Sequence, residues 1–420
     1  MKINETIAVI GLGYVGLPLA VEFGKKSKVI GFDISSGRIQ DLRKNIDTTN
    51  EVSSSHLKKA KYLEFSCKEE DLISAKHFII TVPTPVDDFN IPDTSFLVSA
   101  SQIVSKYISK GSHIIYESTV YPGATEEICL PILEQYTSFK YNKDFFLGYS
   151  PERINPGDKK HRITDIKKIT SGSTKPAAKF IDQLYRQIIT AGTHLAPSIK
   201  VAEAAKVIEN TQRDLNIALI NELAIIFNKL NIDTNDVIEA AATKWNFIKF
   251  KPGLVGGHCI GVDPYYLTFK AKQIGYDPKV ILSGREINNY MPMYVANTLI
   301  NLMKEKFIKL EHASILLLGI TFKENCPDIR NSKVIDLAKI IQRRVGNLEI
   351  VDPWFKGEIE GLNISQAISV NKKYDGILLA VPHKEFVNLR DKDITALRKE
   401  SSIFYDLKSL FNQDISDARL

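Results

Sequence analysis

Short apolar runs rich in β-branched residues alternate with helical stretches in the first part of the chain. The run Thr6–Ile10 leads into Gly11-Leu-Gly13-Tyr-Val-Gly16, and an apolar helical stretch follows. Further runs lie at residues 28–32, 77–82, 113–116 and 145–149. Unbroken apolar runs of this length are typical of parallel strands buried on both faces. The pattern predicts a doubly wound α/β domain over residues 1–196.

Helical periodicity takes over in the middle of the chain. Apolar residues recur at helical spacing from Pro197 to about Leu230, a second helix follows Asp233-Thr234, and a third stretch runs from about Val280 to Lys306. A helix of about 30 residues is about 45 Å long, which suits a link between domains or a dimer face. We therefore expect a central all-α domain with a long helix over residues 197–305.

The last part of the chain repeats the pattern of the first. Its apolar runs lie at residues 314–318, 348–351, 376–381 and 402–405. Gly319 stands alone after the first of them, without GxGxxG, so a second dinucleotide is not expected. Residues 306–420 are predicted to form a second Rossmann-like α/β domain. At its strand–helix junction, Lys323 and Arg330 are either phosphate ligands or solvated charges.

The composition narrows the class of protein. Of 420 residues, 44% are hydrophobic and 25% charged, which is ordinary for a globular protein of two or three domains. No apolar run approaches the ~18–20 residues of a membrane span. The net charge of +6 comes without a Lys/Arg block and favours an anionic small molecule over nucleic acid. Four scattered cysteines without zinc-type spacing favour thiols, no metal site and the cytoplasm.

The turn after the first run carries a dinucleotide-binding pattern. Gly11 permits the turn, Gly13 lets a pyrophosphate approach the backbone, and Gly16 lets the helix pack on the strand. The helix N-terminus offers N–H groups to the phosphates. Asp33, at the end of the second run, accepts hydrogen bonds from ribose hydroxyls and repels a 2′-phosphate. The pattern predicts NAD as the cofactor.

Polar residues follow several of the predicted strands. Thr84 follows the third run, Ser118 and Thr119 follow the fourth, and Glu152-Arg153 follows the fifth. Because the turns after the carboxyl ends line the ligand crevice of a doubly wound sheet, these residues are candidates for the site. The hydroxyls have an equally simple alternative role in satisfying turn and cap amides.

One loop combines a thiol, an imidazole and a carboxylate. Residues 252–264 hold His258, Cys259 and Asp263 among four glycines, with a proline at each end. A thiol attacking an aldehyde gives a hemithioacetal that can lose a second hydride. Lys206, one turn from Asn210 on the long helix, is a candidate cation to activate the thiol. The simpler alternatives are a glycine-rich turn with an idle cysteine and two surface polar residues on an amphipathic helix.

Together these motifs resemble the UDP-glucose/GDP-mannose dehydrogenase family. They are residues 11–16, 82–85, 118–120 and 150–152, Lys206 with Asn210, residues 256–259 with Asp263, and residues 321–323 with Arg330. The resemblance implies an NAD-binding domain, a helical dimerising domain and a UDP-sugar-binding domain, hence a homodimer. It also implies a four-electron oxidation of the C6 hydroxyl of a UDP-sugar, with two NAD consumed.

The resemblance also implies roles for individual residues. Cys259 is expected to be the nucleophile, Lys206 and Asn210 to stabilise the oxyanion, and Asp263 to position water with Thr119 and Glu152 nearby. Substrate contacts are expected from Glu152, Arg153, Lys206, Asn210, Gly256, Gly257 and Lys323. Cofactor contacts are expected from Gly11, Gly13, Tyr14, Val15, Gly16, Asp33, Arg38, Thr84, Ser118, Thr119 and Arg330.

Two departures from the family pattern bear on the substrate. Ile260-Gly261 follow the cysteine where glucose-specific members carry an aromatic residue and a proline, and Pro156 stands where they carry a second glutamate. The Gly-Gly-His-Cys-Ile form resembles the branch acting on N-acetylated amino sugars of bacterial polysaccharide pathways. UDP-N-acetylgalactosamine or UDP-N-acetylglucosamine is therefore expected, with UDP-glucose and UDP-N-acetylmannosamine as alternatives. His258 is either a base or a support of the loop.

Two hypotheses from other classes compete with this one. A two-electron hydroxyacid-type dehydrogenase shares the glycine motif and the Lys206–Asn210 pair, but it explains neither Cys259 nor the third domain. A non-catalytic nucleotide-binding protein leaves the competent side chains at the candidate catalytic positions unexplained. One NADH formed per substrate would favour the two-electron dehydrogenase. The absence of turnover would favour the non-catalytic protein.

Overall fold

The computed structural model describes residues 5–87, 89–154 and 162–420. They fall into two units, one within Met1–Glu209 and Tyr265–Tyr276, the other Asn210–Pro264 and Asp277–Leu420. Each unit has its own sheet and its own apolar core. The boundaries between the three predicted domains stay a prediction.

A parallel sheet with flanking helices forms the first unit. Its strands are β1 (Thr6–Ile10), β2 (Val29–Phe32), β3 (Leu63–Ser66), β4 (Ala75–Ile80), β5 (Ser112–Tyr116) and β6 (Phe145–Tyr149). Its helices are α1 (Gly16–Gly24), α2 (Ser36–Arg43), α3 (Ser54–Leu57), α4 (Ser95–Ser105), α5 (Leu130–Tyr136) and α6 (Lys175–Arg186). The described strands lie in the order β3-β2-β1-β4-β5-β6, and β7 (Lys168–Thr170) pairs separately with β8 (Thr193–Leu195). The order reverses between β1 and β4, where doubly wound sheets bind dinucleotides.

The central helices are α7 (Ile199–Lys229), α8 (Thr234–Ala241), α9 (Asp263–Gln273) and α10 (Lys279–Glu305). The long helix α7 begins where Ser198 Oγ accepts the N–H of Val201 at 3.2 Å. Within the first unit, Glu203 of α7 accepts the N–H groups of Gly123 at 2.5 Å and Thr125 at 2.9 Å. Burial raises the pKa of Glu203. This carboxylate therefore anchors the start of α7 to the segment that precedes α5. Among the described residues, no helix is both long and apolar enough to cross a membrane.

The second sheet repeats the first. Its strands are β9 (Ser314–Leu318), β10 (Asn347–Val351), β11 (Ile364–Ser365), β12 (Tyr374–Leu379), β13 (Arg398–Asp406) and β14 (Ala418–Arg419). Its helices are α11 (Lys333–Gln342), α12 (Lys384–Val387) and α13 (Asp391–Ala396). The described strands lie in the order β11-β10-β9-β12-β13-β14, and α10 packs Val295, Leu299 and Met303 into the same core. The predicted fold class, two doubly wound sheets with a long central helix, is confirmed.

The acidic residue that follows the second strand of each sheet has a different role in the two units. In the second unit, Asp352 Oδ2 accepts the N–H groups of Ile320 and Thr321 at 2.7 and 3.1 Å and contacts the His383 imidazole at 3.1 Å. Although burial opposes the shift, His383 and these N–H groups lower the pKa of Asp352 to about 2. Asp352 is fully buried and therefore not available to a ribose, whereas Asp33, which also accepts N–H groups of its own turn, is partly exposed.

Candidate active site

The β1–α1 turn leaves room for a ligand beside its backbone. Gly11 has φ +91°, and a Cβ on Gly16 would lie 1.9 Å from the carbonyl oxygen of Gly11, so neither position suits another residue. A Cβ on Gly13 would meet no atom within 4 Å. Gly16 thus lets α1 pack on the turn, while the open side of Gly13 fits the approach of a pyrophosphate.

Asp33 and Arg38 hold the glycine turn from either side. Asp33 Oδ2 accepts the N–H of Leu12 at 2.8 Å, and Arg38 Nε donates to the Leu12 carbonyl at 3.0 Å. Arg38 also pairs with Asp47 at 2.8 Å. Tyr14 and Val15 lie half-buried in the same turn. The expected cofactor residues of β1, α1 and β2 are therefore brought together.

The hydroxyls that follow β4 and β5 connect two turns. Thr84 Oγ1 donates to the Thr119 carbonyl at 2.7 Å, and Ser118 Oγ donates to the Val82 carbonyl at 2.6 Å. These bonds match the alternative that the sequence left open, in which the hydroxyls satisfy the turns. They also fix the backbone on both sides of the crevice at the sheet edge, with Thr119 half-buried beside it.

A buried charge cluster surrounds Glu152. Its Oε1 accepts the N–H groups of Arg153 and Ile154, each at 2.6 Å, and its Oε2 lies 3.2 Å from Lys168 Nζ. Lys168 Nζ also contacts Glu117 Oε2 at 2.7 Å. Burial works to lower the pKa of Lys168, but the two carboxylates raise it. The two carboxylates keep the Lys168 ammonium charged. This ammonium in turn holds the Glu152 carboxylate at the end of β6.

Arg153 points toward α7 within the same unit. Its Nη2 lies 2.7 Å from Glu209 Oε1, and its Nη1 donates to the Lys167 carbonyl at 2.8 Å. Lys206, one turn before Asn210 on α7, is buried. Pro156, which marks a departure from the family pattern, lies outside the described residues.

In the second unit, the cysteine loop packs its glycines against residues that follow β9. A Cβ on Gly256 would lie 2.7 Å from the Asn331 carbonyl, and one on Gly257, which has φ +82°, would lie 2.8 Å from the Phe322 ring. The Gly257 N–H donates to the Asn331 carbonyl at 3.3 Å. Glycine is required at both positions because the loop and this segment are in backbone contact.

Cys259 lies in the turn that starts α9. Its carbonyl accepts the N–H groups of Val262 and Asp263 at 3.1 and 2.9 Å, and its side chain is half-buried. Asp263, the first residue of α9, accepts a hydrogen bond from Asn210 Nδ2 at 2.6 Å. Arg213 Nη1 donates to Asn210 Oδ1 at 2.9 Å, which fixes the orientation of the amide. Three of the expected catalytic residues are thus brought together in this unit.

His258 supports the loop. Arg330 Nη2 lies 3.1 Å from His258 Nε2, and the same guanidinium pairs with Asp328 at 2.6 Å. Because a guanidinium only donates, Nε2 must accept, which places the proton of a neutral imidazole on Nδ1. The His258 ring meets the edge of Phe322 at 5.8 Å between centroids. This geometry favours the supporting role over the base, and it places Arg330 against the cysteine loop.

Two lysines lie near the loop in the second unit. Lys323 is half-buried in the segment after β9. Lys408, which sequence reasoning missed, has its Nζ 2.9 Å from where a Cβ on Gly253 would lie. Burial lowers the pKa of Lys408, against the opposing charges of Glu324 and Asp406. Its position just after β13, at the ligand edge of the second sheet, is a signal that could have identified it.

The comparisons with known proteins match this arrangement along most of the chain. The NAD binding domain model of the UDP-glucose/GDP-mannose dehydrogenase family matches residues 5–189, the central domain model residues 200–290, and the UDP binding domain model residues 316–413. The chain belongs to this family. It is an NAD-dependent nucleotide-sugar 6-dehydrogenase, and the predicted cofactor and enzyme class are confirmed.

Other family members cover nearly the whole chain. A UDP-N-acetyl-D-glucosamine 6-dehydrogenase of Pseudomonas aeruginosa is 57% identical over 417 residues, which is 99% of both chains. One of Salmonella typhi is 53% identical, with 99% of this chain and 98% of the relative covered. The solved structure of a UDP-D-ManNAc dehydrogenase from Pyrococcus horikoshii has a TM-score of 0.90 at 31% identity, over 99% of this chain and 98% of that one.

The residues of the first unit fit the cofactor of this dehydrogenase family. Gly13 offers open backbone, Asp33 lies at the end of β2, and the turns after β4 and β5 are fixed by their own hydroxyls. Sequence reasoning missed Lys168 and Glu117, because β7 is a short strand and its pairing with the cluster is not local in sequence. No group of three or more His, Cys, Asp or Glu side chains placed for a metal ion occurs in the described ranges.

Proposed function

We propose that the protein oxidises the C6 hydroxyl of UDP-N-acetyl-D-glucosamine to the carboxylate through a covalent intermediate on Cys259, for surface polysaccharide synthesis. The relatives at 57% and 53% identity, both named UDP-N-acetyl-D-glucosamine 6-dehydrogenase, support this sugar. The Gly256-Gly-His-Cys-Ile sequence supports an N-acetylated amino sugar over glucose.

The loop geometry carries the proposal for the nucleophile. Cys259 lies in a turn at the start of a helix, and such a position favours a thiolate because the helix N-terminus is positive. Lys206, which the family pattern predicts as a further positive charge, is buried on α7. The thiolate attacks the C6 aldehyde, forming a C–S bond and a hemithioacetal oxyanion, to which Lys206 and Asn210 donate.

NAD, when bound, accepts one hydride from C6 in each of the two oxidations. After the second oxidation the carbon is a thioester on Cys259. Asp263, fixed by Asn210 at 2.6 Å, orients the water that attacks this thioester, and the thiolate leaves as the carboxylate forms. The water-positioning roles expected of Thr119 and Glu152 from the family pattern stay predictions. The balance is two NADH and one acid per sugar nucleotide.

Basic side chains of the second unit are proposed to bind the nucleotide. Lys323 follows β9 and Lys408 follows β13, both at the carboxyl edge of the second sheet. Arg153 and the backbone of Gly256 and Gly257 are the remaining proposed substrate contacts. Lys408 would gain from a phosphate, because desolvation lowers its pKa more than the charges of Glu324 and Asp406 raise it, and an added anion favours the charged form.

Turnover of a panel of sugar nucleotides tests the proposal. UDP-N-acetyl-D-glucosamine is expected to give two NADH per molecule and higher kcat/KM than UDP-N-acetylgalactosamine, UDP-N-acetylmannosamine and UDP-glucose. Cys259→Ala is expected to abolish acid formation, leaving at most an aldehyde-level product. One NADH per substrate, or full acid formation by Cys259→Ala, contradicts the proposal. Preference for another sugar overturns only the choice of substrate.

We also propose that the protein is a cytoplasmic homodimer. On α7, Ile208, Leu219 and Ile226 are 52, 53 and 44% exposed, and their spacing puts them along one helix face. An apolar face of this kind suits burial against a second copy. All four cysteines lie in the described residues and carry thiols rather than disulfides, which supports a reducing compartment. Light scattering after gel filtration is expected to give twice the mass of 47.2 kDa.

A further inference from the structure

The start of the cysteine loop is held by one buried side-chain amide. Asn221 of α7 donates from Nδ2 to the Gly253 carbonyl at 3.0 Å, and its Oδ1 accepts the Gly253 N–H at 2.8 Å. Asn221 has no exposed surface. A side-chain amide can donate and accept in this paired way, whereas a carboxylate or an ammonium cannot. Both backbone groups of Gly253 are thereby fixed to the helix.

The orientation of this amide is set by a chain of buried donors. Asn221 Nδ2 also donates to Asn288 Oδ1 at 2.8 Å, and Asn288 Nδ2 donates to Asp214 Oδ1 at 2.7 Å. Arg285 Nη1 donates to the same Asp214 oxygen at 2.7 Å. Because Asp214 accepts, Asn288 must turn its NH₂ toward it, and Asn221 must turn its NH₂ toward Asn288. One arrangement of the two amides satisfies the network.

The same network reaches the far side of the cysteine. A Cβ on Gly261 would lie 3.7 Å from Arg285 Nη1 and 3.8 Å from Nη2, so the guanidinium packs under the loop there. Cys259 lies between Gly253 and Gly261, and its own carbonyl is tied to Val262 and Asp263. Both flanks of the thiol therefore rest on groups whose positions are set by Asp214 and Arg285.

A buried polar network is retained at a cost in desolvation, so its role lies in fixing one arrangement. Apolar side chains on α7 and α10 would pack the two helices without fixing the backbone of Gly253. For a covalent step, a displacement of about 1 Å at the reacting group can lower the rate about 100-fold. The network can provide this positional accuracy, because it fixes the backbone of the loop that carries the thiol.

We propose that Asn221 is a positioning residue that holds Cys259 for attack on the aldehyde, with Asp214, Arg285 and Asn288 fixing its amide. This inference rests on the proposed function of Cys259. It makes Asn221 specific to the second oxidation, because the first forms no bond to the thiol.

Asn221→Ala tests this role, with Asn216→Ala as the matched control. Asn216 lies on the same helix, is half-buried, and donates to the Gln212 carbonyl at 2.6 Å. Three readouts are needed: NADH formed from the alcohol in a single turnover, NADH formed from the C6 aldehyde, and the alkylation rate of Cys259 by iodoacetamide, measured on its peptide by mass spectrometry.

In Asn221→Ala, oxidation of the aldehyde is expected to slow about 100-fold. The first oxidation and the KM for the sugar nucleotide are expected to stay within about twofold, and Cys259 alkylation to change severalfold. Asn216→Ala is expected to match the unsubstituted protein in every readout. Equal slowing of both oxidations, or normal aldehyde oxidation in folded Asn221→Ala, overturns the inference.

A second variant covers the case in which Asn221→Ala does not fold. Asn288→Ala leaves the two bonds to Gly253 but removes the group that orients the Asn221 amide, so a smaller loss confined to aldehyde oxidation is expected. No such loss in folded Asn288→Ala overturns the inference. Cys259→Ala separates the two proposals: if that variant still forms acid, the proposed function fails first, whereas an inactive Cys259→Ala with a normal Asn221→Ala refutes only the positioning role.

Discussion

Lys168 is the side chain on which the buried charges near Glu152 depend. Its ammonium, 3% exposed, neutralises Glu117 and Glu152 at 2.7 and 3.2 Å. Lys168→Met leaves two buried carboxylates without a counter-charge, and we expect the free energy of unfolding to fall by about 3–5 kcal/mol. Urea unfolding measures the change.

An exposed lysine provides the control for this prediction. Lys106 pairs with Glu69 at 2.8 Å with more than half of its side chain exposed, so Lys106→Met is expected to leave the unfolding midpoint unchanged. Equal midpoints for the two variants contradict a structural role of the buried cluster. The double variant Lys168→Met/Glu117→Leu lacks one of the two unpaired carboxylates. A partly restored unfolding midpoint in this double variant would support the structural role of the cluster.

His113 makes stability depend on pH. Burial, aided by the nearby His77, lowers the pKa of His113 from 6.5 to about 3, and the ring stacks on Phe180 at 4.2 Å between centroids. Between these two pH values the unfolded chain binds the proton and the folded chain does not. The folded state therefore loses stability as pH falls from about 6.5 toward 3 and gains nothing further above 7. His113→Phe is expected to flatten this dependence in urea unfolding at pH 5 to 7, with a constant difference between the two proteins from pH 7 to 9.

The sequence identified residue types better than it identified their partners. Gly11, Gly16 and Asp33 belong to a local motif, and their positions follow from the turn itself. The contacts of Lys168 and Asn221 connect residues far apart in the chain, so no local spacing could reveal them. For Thr84 and Ser118 the pattern left two roles open, because a hydroxyl after a strand serves a ligand or a turn equally well.

At the scale of elements, two glycines of the β1–α1 turn have different roles: Gly16 is needed for packing and Gly13 for ligand binding. Gly13→Ala adds a methyl group that meets no atom within 4 Å, whereas in Gly16→Ala the methyl would lie 1.9 Å from the Gly11 carbonyl oxygen. We expect Gly13→Ala to keep the Tm but weaken NAD binding at least tenfold, because the pyrophosphate needs that space. Gly16→Ala is expected to lower both the Tm and the affinity for NAD.

Calorimetry and thermal melting measure these two effects. Gly37→Ala, on α2 and also without neighbours within 4 Å, is the matched control and is expected to leave NAD binding unchanged. Tight NAD binding by Gly13→Ala would show that the dinucleotide does not approach the turn at this position.

The long helices and the strands formed by apolar runs were predictable, whereas short edge strands and one helix were not. The long helix, predicted from 197 to about 230, is observed at Ile199–Lys229, and the predicted stretch 280–306 is observed at Lys279–Glu305. The edge strands β3, β11 and β14 were missed because they are short and partly exposed, without an apolar run. The helix α9 was missed because its apolar residues show little helical spacing after the cysteine loop.

At the scale of the whole molecule, two sheets of the same strand order differ in the turn after their first strand. The first has the glycine turn with open space at Gly13, while the second has Asp352 committed to Ile320 and Thr321. We therefore propose that the duplicated fold provides two nucleotide-binding surfaces with different ligands. Ligand binding should stabilise each unit separately, by about 2.7 kcal/mol at a ligand concentration of 100 times Kd.

Hydrogen exchange with each ligand alone tests this division. NAD is expected to slow amide exchange at residues 11–16 and 81–85, and UDP at residues 253–258, 321–330 and 406–411. The segments 314–318 and 6–10 are buried strands and serve as internal references, since their exchange reports the stability of each sheet. Protection by UDP in the first unit, with none in the second, would contradict the assignment of the second sheet to the sugar nucleotide. Loss of UDP protection in Lys408→Ala, with NAD protection intact, would place the phosphates beside Lys408.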